Sequence, residues 1–135
     1  MLLPLPLART RALSLEHHLA LATTAKGHGN VNSVACLMKA VYTAFYLCDE
    51  PPVGADDPQF QRAEAALARC ITRAERGETW IMLDRDKIAI ERILVLHDAQ
   101  LASVPTHRYL TALDKLNRFA VEGLKSPIPP LATES

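Results

Sequence analysis

Arg62, Arg69, Arg73 and Arg76 are the residues whose type and spacing speak most directly of chemistry. At about 100° per residue they fall within about 60° of one another on a helix, opposite its apolar face. A guanidinium presents a planar fork of donors that matches carboxylate and phosphate groups, so this row suits an acidic partner. The competing reading is a solvated helix face whose arginines pair with nearby acids such as Asp49, Glu50, Asp56 and Asp57. A second set comprises His107, Arg108, Thr111, Lys115 and Arg118, on the segment after the tight connection Ser103-Val104-Pro105-Thr106. It has the arrangement of a recognition helix entering the major groove of DNA. Asp114 and Glu122 dilute its positive field, and Asp114 with Arg118 makes an i,i+4 pair.

The five histidines are His17, His18, His28, His97 and His107, and no HExxH or ExxH pair joins them to a metal motif. His17 and His18 point about 100° apart and do not share an ion from one helix. His97 lies inside the apolar stripe Ile90, Ile93, Leu94, Leu101 and Val104. There it is either a hydrogen-bonded core residue, the preferred reading, or a ligand facing a bundle cavity with His17 or His18 opposite. Cys36, Cys48 and Cys70 form no CxxC pair, and on one helix Cys36 and Cys48 would stand about 18 Å apart, too far to bridge. Their apolar neighbours predict inert, reduced thiols. There is no GxSxG, no paired carboxylate and no glycine-rich phosphate loop. Gly27-His28-Gly29-Asn30 has two glycines but no preceding strand. The acidic loop lacks the alternating ligand spacing of a calcium site. The residues therefore predict a protein that is not an enzyme, with no cofactor and no resident metal.

Composition narrows the class further. With 15 basic and 15 acidic residues among 135, the net charge is zero, while 49% of the chain is apolar. Disordered chains combine low hydrophobicity with high net charge, so this one is expected to fold. No apolar run reaches the roughly 18 residues of a spanning helix, which argues against a membrane. Balanced charge argues against a uniformly basic nucleic-acid binder but leaves local patches, because the zero is a sum of unlike parts, with four acidic residues and no basic one in 49–57. The apolar start resembles a secretory signal only superficially, since no Lys or Arg precedes it and Pro4 and Pro6 interrupt it. A cytoplasmic location follows as the expectation, supported by the odd number of cysteines.

The elements that must position these residues are helices. Prolines frame an extended arm over 1–9 and a Pro-rich tail over 126–135, leaving a helical bundle domain at 10–125. The spacing predicts a first helix over 10–24 with Leu15, Leu19 and Ala22 on its apolar face. Gly27 to Asn30 break it, and Asn30 or Asn32 caps the next. The second helix, 31–48, is apolar on most sides and should be central. Asp57 followed by Pro58 starts the third, which buries Phe60, Ala63, Leu67, Cys70, Ile71 and Ala74 and stops at Gly77. An apolar entry segment, Trp80 to Leu83, leads to a fourth helix capped by Asp84, with Leu83 and Ile88 as a hydrophobic staple, running to about 102. The fifth opens at Pro105-Thr106, carries Tyr109, Leu113, Leu116 and Ala120 on one face and ends near Gly123. Without strand alternation, the fold class is all-α, a single-domain antiparallel helical bundle of about five helices.

At Leu15-Glu16-His17-His18-Leu19-Ala20-Leu21, and again from Leu96-His97-Asp98 through His107-Arg108-Tyr109-Leu110, the chain resembles small all-helical bacterial proteins grouped with the Fis-family transcriptional regulators. That resemblance implies a cytoplasmic regulator that binds DNA as a dimer. Fis proteins end in a basic helix-turn-helix, whereas this chain ends in Pro127-Ile128-Pro129-Pro130-Leu131, so no functional residue is carried over. The leading expectation is a non-enzymatic, plausibly regulatory protein that binds a protein partner around Arg62, Arg69, Arg73 and Arg76. DNA binding through the fifth helix is the first alternative, a small-ligand or metal-binding bundle the second, and a homodimer is left open.

Overall fold

Two glycines and one asparagine punctuate the chain before any packing is considered. Gly27 and Gly77 adopt φ of 86° and 81°, the left-handed region that other residues enter only at a cost. Each ends a helix with the paired bonds of a Schellman motif: His28 N–H to Thr23 O and Gly27 N–H to Thr24 O, then Glu78 N–H to Arg73 O and Gly77 N–H to Ala74 O. Asn30 opens the next helix. Its side chain accepts from the N–H groups of Asn32 and Ser33, and the Ser33 hydroxyl accepts from Asn30 N–H, which closes a capping box.

The computed structural model describes residues 3–48, 58–79, 82–122 and 128. Its helices are α1 (Leu7–Ala25), α2 (Val31–Leu47), α3 (Gln59–Glu75), α4 (Asp84–Ser103) and α5 (Thr106–Glu122). The all-α bundle is as the periodicity predicts, and among the described residues the one extended pairing is an isolated bridge between Pro4 and Pro105. No described helix is long and apolar enough to cross a membrane. Contacts along the helices give an up–down–up–down order. Phe45 meets Phe60, Arg69 reaches Asp86, His18 meets Asp98, and Gln100 reaches back to Ala44. As expected from its sequence, α2 is central and packs on all four other helices, with Val34, Leu37, Ala40, Val41 and Ala44 buried.

Several boundaries and faces differ from the sequence expectation. Helix α1 starts at Leu7 inside the expected arm, because Pro6 holds φ at −57° and its carbonyl receives Thr10 N–H. Its buried face is not Leu15 and Leu19, which are 67% and 60% exposed, but His17, Ala20, Leu21 and Thr24. Two polar residues on the inward face hid it from the apolar pattern. Thr24 is tolerated there because its hydroxyl donates to Ala20 O at 2.9 Å. In α4, Leu83 takes the cap position, and Asp84 becomes the first helical residue instead of the cap. Leu83 and Ile88 both stay about half exposed rather than closing a staple, and the neighbouring Met82 is buried instead. In α5, Ala120 is exposed, and the inward face is Tyr109 and Ala112 with Leu113 and Leu116 half-buried. Asp57, Trp80, Ile81 and the 49–57 loop lie outside the described residues, as does the tail except Ile128, which is buried in the main core.

A second, smaller core gathers Leu5, Leu47, Leu101, Val104, Tyr109 and Ala112. It joins the N-terminal arm to the α4–α5 corner, where Thr106 N–H donates to Leu3 O at 2.7 Å.

Candidate functional site

The arginine row does not act as one surface. Arg69 turns to α4, where its Nη2 donates to Asp86 Oδ1 and its Nε, at 3.3 Å, to Asp86 Oδ2. The Asp86 side chain is only 1% exposed while that of Arg69 is 43% exposed, so Arg69 covers and neutralises an otherwise buried carboxylate. The hydrogen bond to Asp86 pushes the Arg69 pKa further up, against a smaller opposing effect of burial. Arg73 is half-buried and has an interaction of its own, and Arg76 is the exposed C-cap of α3.

Arg62 is the member of the row that enters a concavity. With Gln59 from α3 and Arg85, Ile88, Ala89 and Arg92 from α4, it lines an open cleft of about 130 Å³. Three arginine side chains therefore line one cleft, and among the described residues no carboxylate lines it. Arg85 lies 4.0 Å from buried Asp86, and among the described residues no ion pair involves Arg62 or Arg92. Arg85 and Arg92 escaped the sequence reasoning because α4 was read only for its apolar stripe. The signal was present: Arg85, Ile88 and Arg92 recur at i, i+3 and i+7, one face of a helix.

The α5 set is largely engaged within the molecule. Arg108 donates to Leu47 O at 3.3 Å, and the Thr111 hydroxyl bonds to His107 O of its own helix at 2.8 Å. Lys115 lies 5.9 Å over the Tyr46 ring, and Arg118 pairs with Asp114 at 2.9 Å, the expected i,i+4 pair. His107 is exposed. Helix α5 takes its packing from α2 rather than from α4.

Three of the five histidines, His17, His18 and His97, lie at the α1–α4 contact beside α2. His97, 1% exposed, meets the expectation of a hydrogen-bonded core residue. Gln100 commits its amide nitrogen to Ala44 O at 3.0 Å, so its oxygen accepts from His97 Nδ1 at 2.8 Å. His17, 7% exposed, packs its ring 5.4 Å from that of His97. Burial, and then the neighbouring His97, lower its pKa to about 4. Burial also lowers the pKa of His97, opposed by its bond to Gln100. His18, about 100° away as expected, is half-buried and meets Asp98 Oδ2 at 2.7 Å.

A cavity of about 100 Å³ opens beside His17, lined also by Glu16, Cys36, Lys39, Thr43, His97 and others. One ligand atom each from Glu16, His17 and Cys36 lie within 4.8 Å of one another. The Cys36 thiol is pushed up by burial and by Glu16, against the pull of Lys39. Sequence reasoning set Cys36 among apolar neighbours and missed this grouping. Folding α1 back on α2 about the Gly27–Asn30 turn, which brings the His17 level of one helix to the Lys39 level of the other, was the clue available. Compared with known proteins, the chain matches no family model, no curated protein and no solved structure.

Proposed function

We propose that this protein is a non-enzymatic binding module that engages an acidic segment of a protein partner through the α3–α4 cleft, in a regulatory or adaptor role. The observation that carries the reading is that Arg62, Arg85 and Arg92 line one concave surface, with no lining carboxylate among the described residues. Three like charges held together repel, and an anionic group placed among them relieves that repulsion while forming charge-assisted hydrogen bonds. The apolar floor of Ile88 and Ala89 and the small size of the cleft favour one or two side-chain carboxylates over the extended phosphate track of a duplex.

The test is a nuclear magnetic resonance titration of the labelled full chain with a glutamate-rich peptide at low salt. Shifts are expected at the guanidinium Nε–H groups of Arg62, Arg85 and Arg92, and they should vanish in Arg62→Glu/Arg92→Glu. No binding at low salt, or binding undiminished in that variant, overturns the reading. A duplex-DNA gel shift that is lost in Arg108→Glu/Lys115→Glu would move the function to α5.

A further inference from the structure

Outside the arginine cleft, the cavity between α1 and α2 carries a feature that the binding reading leaves unused. His17 is almost fully buried, and its Nδ1 has no hydrogen-bond partner among the described residues. Burying a polar atom without a partner is destabilising, and an occupant of the adjoining cavity that bonds to the imidazole relieves that cost. Glu16 and His17 are successive on α1 and leave it about 100° apart. Yet one ligand atom of each and one of Cys36 lie within 4.8 Å of one another, so the His17 side chain supplies one corner of a triangle that the longer Glu16 side chain reaches around the helix to complete. We propose that Glu16, His17 and Cys36 form a binding site for a divalent zinc-class ion.

The donor set selects the ion. A thiolate and an imidazole together exclude magnesium and calcium, which take oxygen ligands, and suit zinc, which accepts sulfur, nitrogen and carboxylate oxygen in one tetrahedral shell. Bond lengths of about 2.0–2.3 Å place tetrahedral ligand atoms roughly 3.3–3.7 Å apart. The present upper limit of 4.8 Å leaves about an ångström of closure to side-chain rotation, Glu16 being exposed and Cys36 half-buried. A Cys36 thiolate and the Glu16 carboxylate match the ion's two positive charges, the thiol proton leaves to solvent, and the Lys39 ammonium that also lines the cavity favours the thiolate. The cavity of about 100 Å³ has room for the ion and a water in the fourth position. Because Glu16 and His17 stand on α1 and Cys36 on α2, the ion would pin the first helical hairpin.

Two measurements decide it. The full chain, freed of metal by chelation and reduced, is dialysed against zinc alone, and bound metal is counted. One equivalent is expected, with a rise in the thermal unfolding midpoint as the ion binds the folded chain. Cobalt is then substituted as a spectroscopic probe, and a thiolate-to-cobalt charge-transfer band should appear. That band should persist in Cys48→Ser and Cys70→Ser and be lost in Cys36→Ser. Zinc affinity in Cys36→Ser should fall by more than the roughly 10–100-fold cost of losing an outer-shell contact. Cys36 is only half-buried, so this variant is expected to fold, and unchanged helical circular dichroism checks that it does. Less than stoichiometric zinc, or uptake and cobalt absorption that survive Cys36→Ser, overturns the site. Neither result depends on Arg62 or Arg92, so the two proposals stand or fall separately.

Discussion

Asp86 and Arg69 set the energetic stakes of a single pair. Replacing Arg69 by Met leaves a carboxylate almost fully removed from water without its guanidinium, and a loss of about 1–3 kcal/mol is expected in urea unfolding. Replacing both, as in Arg69→Met/Asp86→Leu, should recover most of that loss, since an apolar pair avoids the desolvation of two charges. A double variant no more stable than Arg69→Met would show that the pair does more than neutralise Asp86. The buried histidines make a second residue-level prediction, for chain kept metal-free by chelator. His17 faces His97, Asp98, His18 and Lys39, and its folded pKa of about 4 lies below the unfolded value near 6.5. The unfolded chain therefore binds more protons between these values. Stability is fully present above about pH 6.5 and falls as pH drops toward 4. Urea midpoints measured across that window should fall more shallowly in His17→Leu, and an unchanged slope would remove His17 from the account. At this scale the sequence was partly legible. His97 announced itself by sitting in an apolar stripe, whereas the grouping of Glu16 with Cys36 depends on two helices meeting and has no signature within either one.

At the scale of the element, helix ends were more legible where backbone conformation dictates the residue. Gly77 and Gly27 mark stops because a left-handed turn excludes most side chains, and Asn30 marks a start because its carbonyl oxygen satisfies two orphan donors. Asn30→Ala should lower stability by about 1 kcal/mol, read as a shift in urea midpoint with unchanged slope, while Asn32→Ala should be nearly silent. Equal effects at the two positions would contradict the observed cap. Helix faces were less legible. The inward side of α1 carries His17 and Thr24, so its apolar periodicity pointed to Leu15 and Leu19, which face outward. Nothing in the apolar pattern of α1 shows that Thr24 can go inside, because its hydroxyl is satisfied by the carbonyl of Ala20 one turn earlier, with Ser33 of α2 at 3.3 Å.

For the whole molecule, zero net charge hides a division of labour. One arginine of the α3 row steadies the α3–α4 interface through Asp86, and another joins two α4 arginines in a cleft. The row was visible in the sequence, but its splitting was not, because α4 decides which arginine is drawn inward. The smaller core makes its own prediction. Leu5 is 9% exposed among Leu101, Val104 and Tyr109, so Leu5→Ala should cost about 2 kcal/mol or more. Hydrogen exchange should then quicken in α5 more than in the central α2. Uniform acceleration would instead mean that arm, corner and bundle open as one cooperative unit.

The strand-like clasp between Leu3 and Thr106 also has a consequence in time. The first two helices meet across a short turn and can pair early, because closing a small loop costs little chain entropy. The arm, by contrast, meets a corner about a hundred positions further along, so its docking belongs among the last events of folding. During synthesis the first described residues are made well before Pro105, Thr106 and Tyr109, the part of their seat that lies beyond α4. A chain still on the ribosome can therefore pair α1 with α2 while the segment around Leu3 and Leu5 waits, undocked, for residues not yet made.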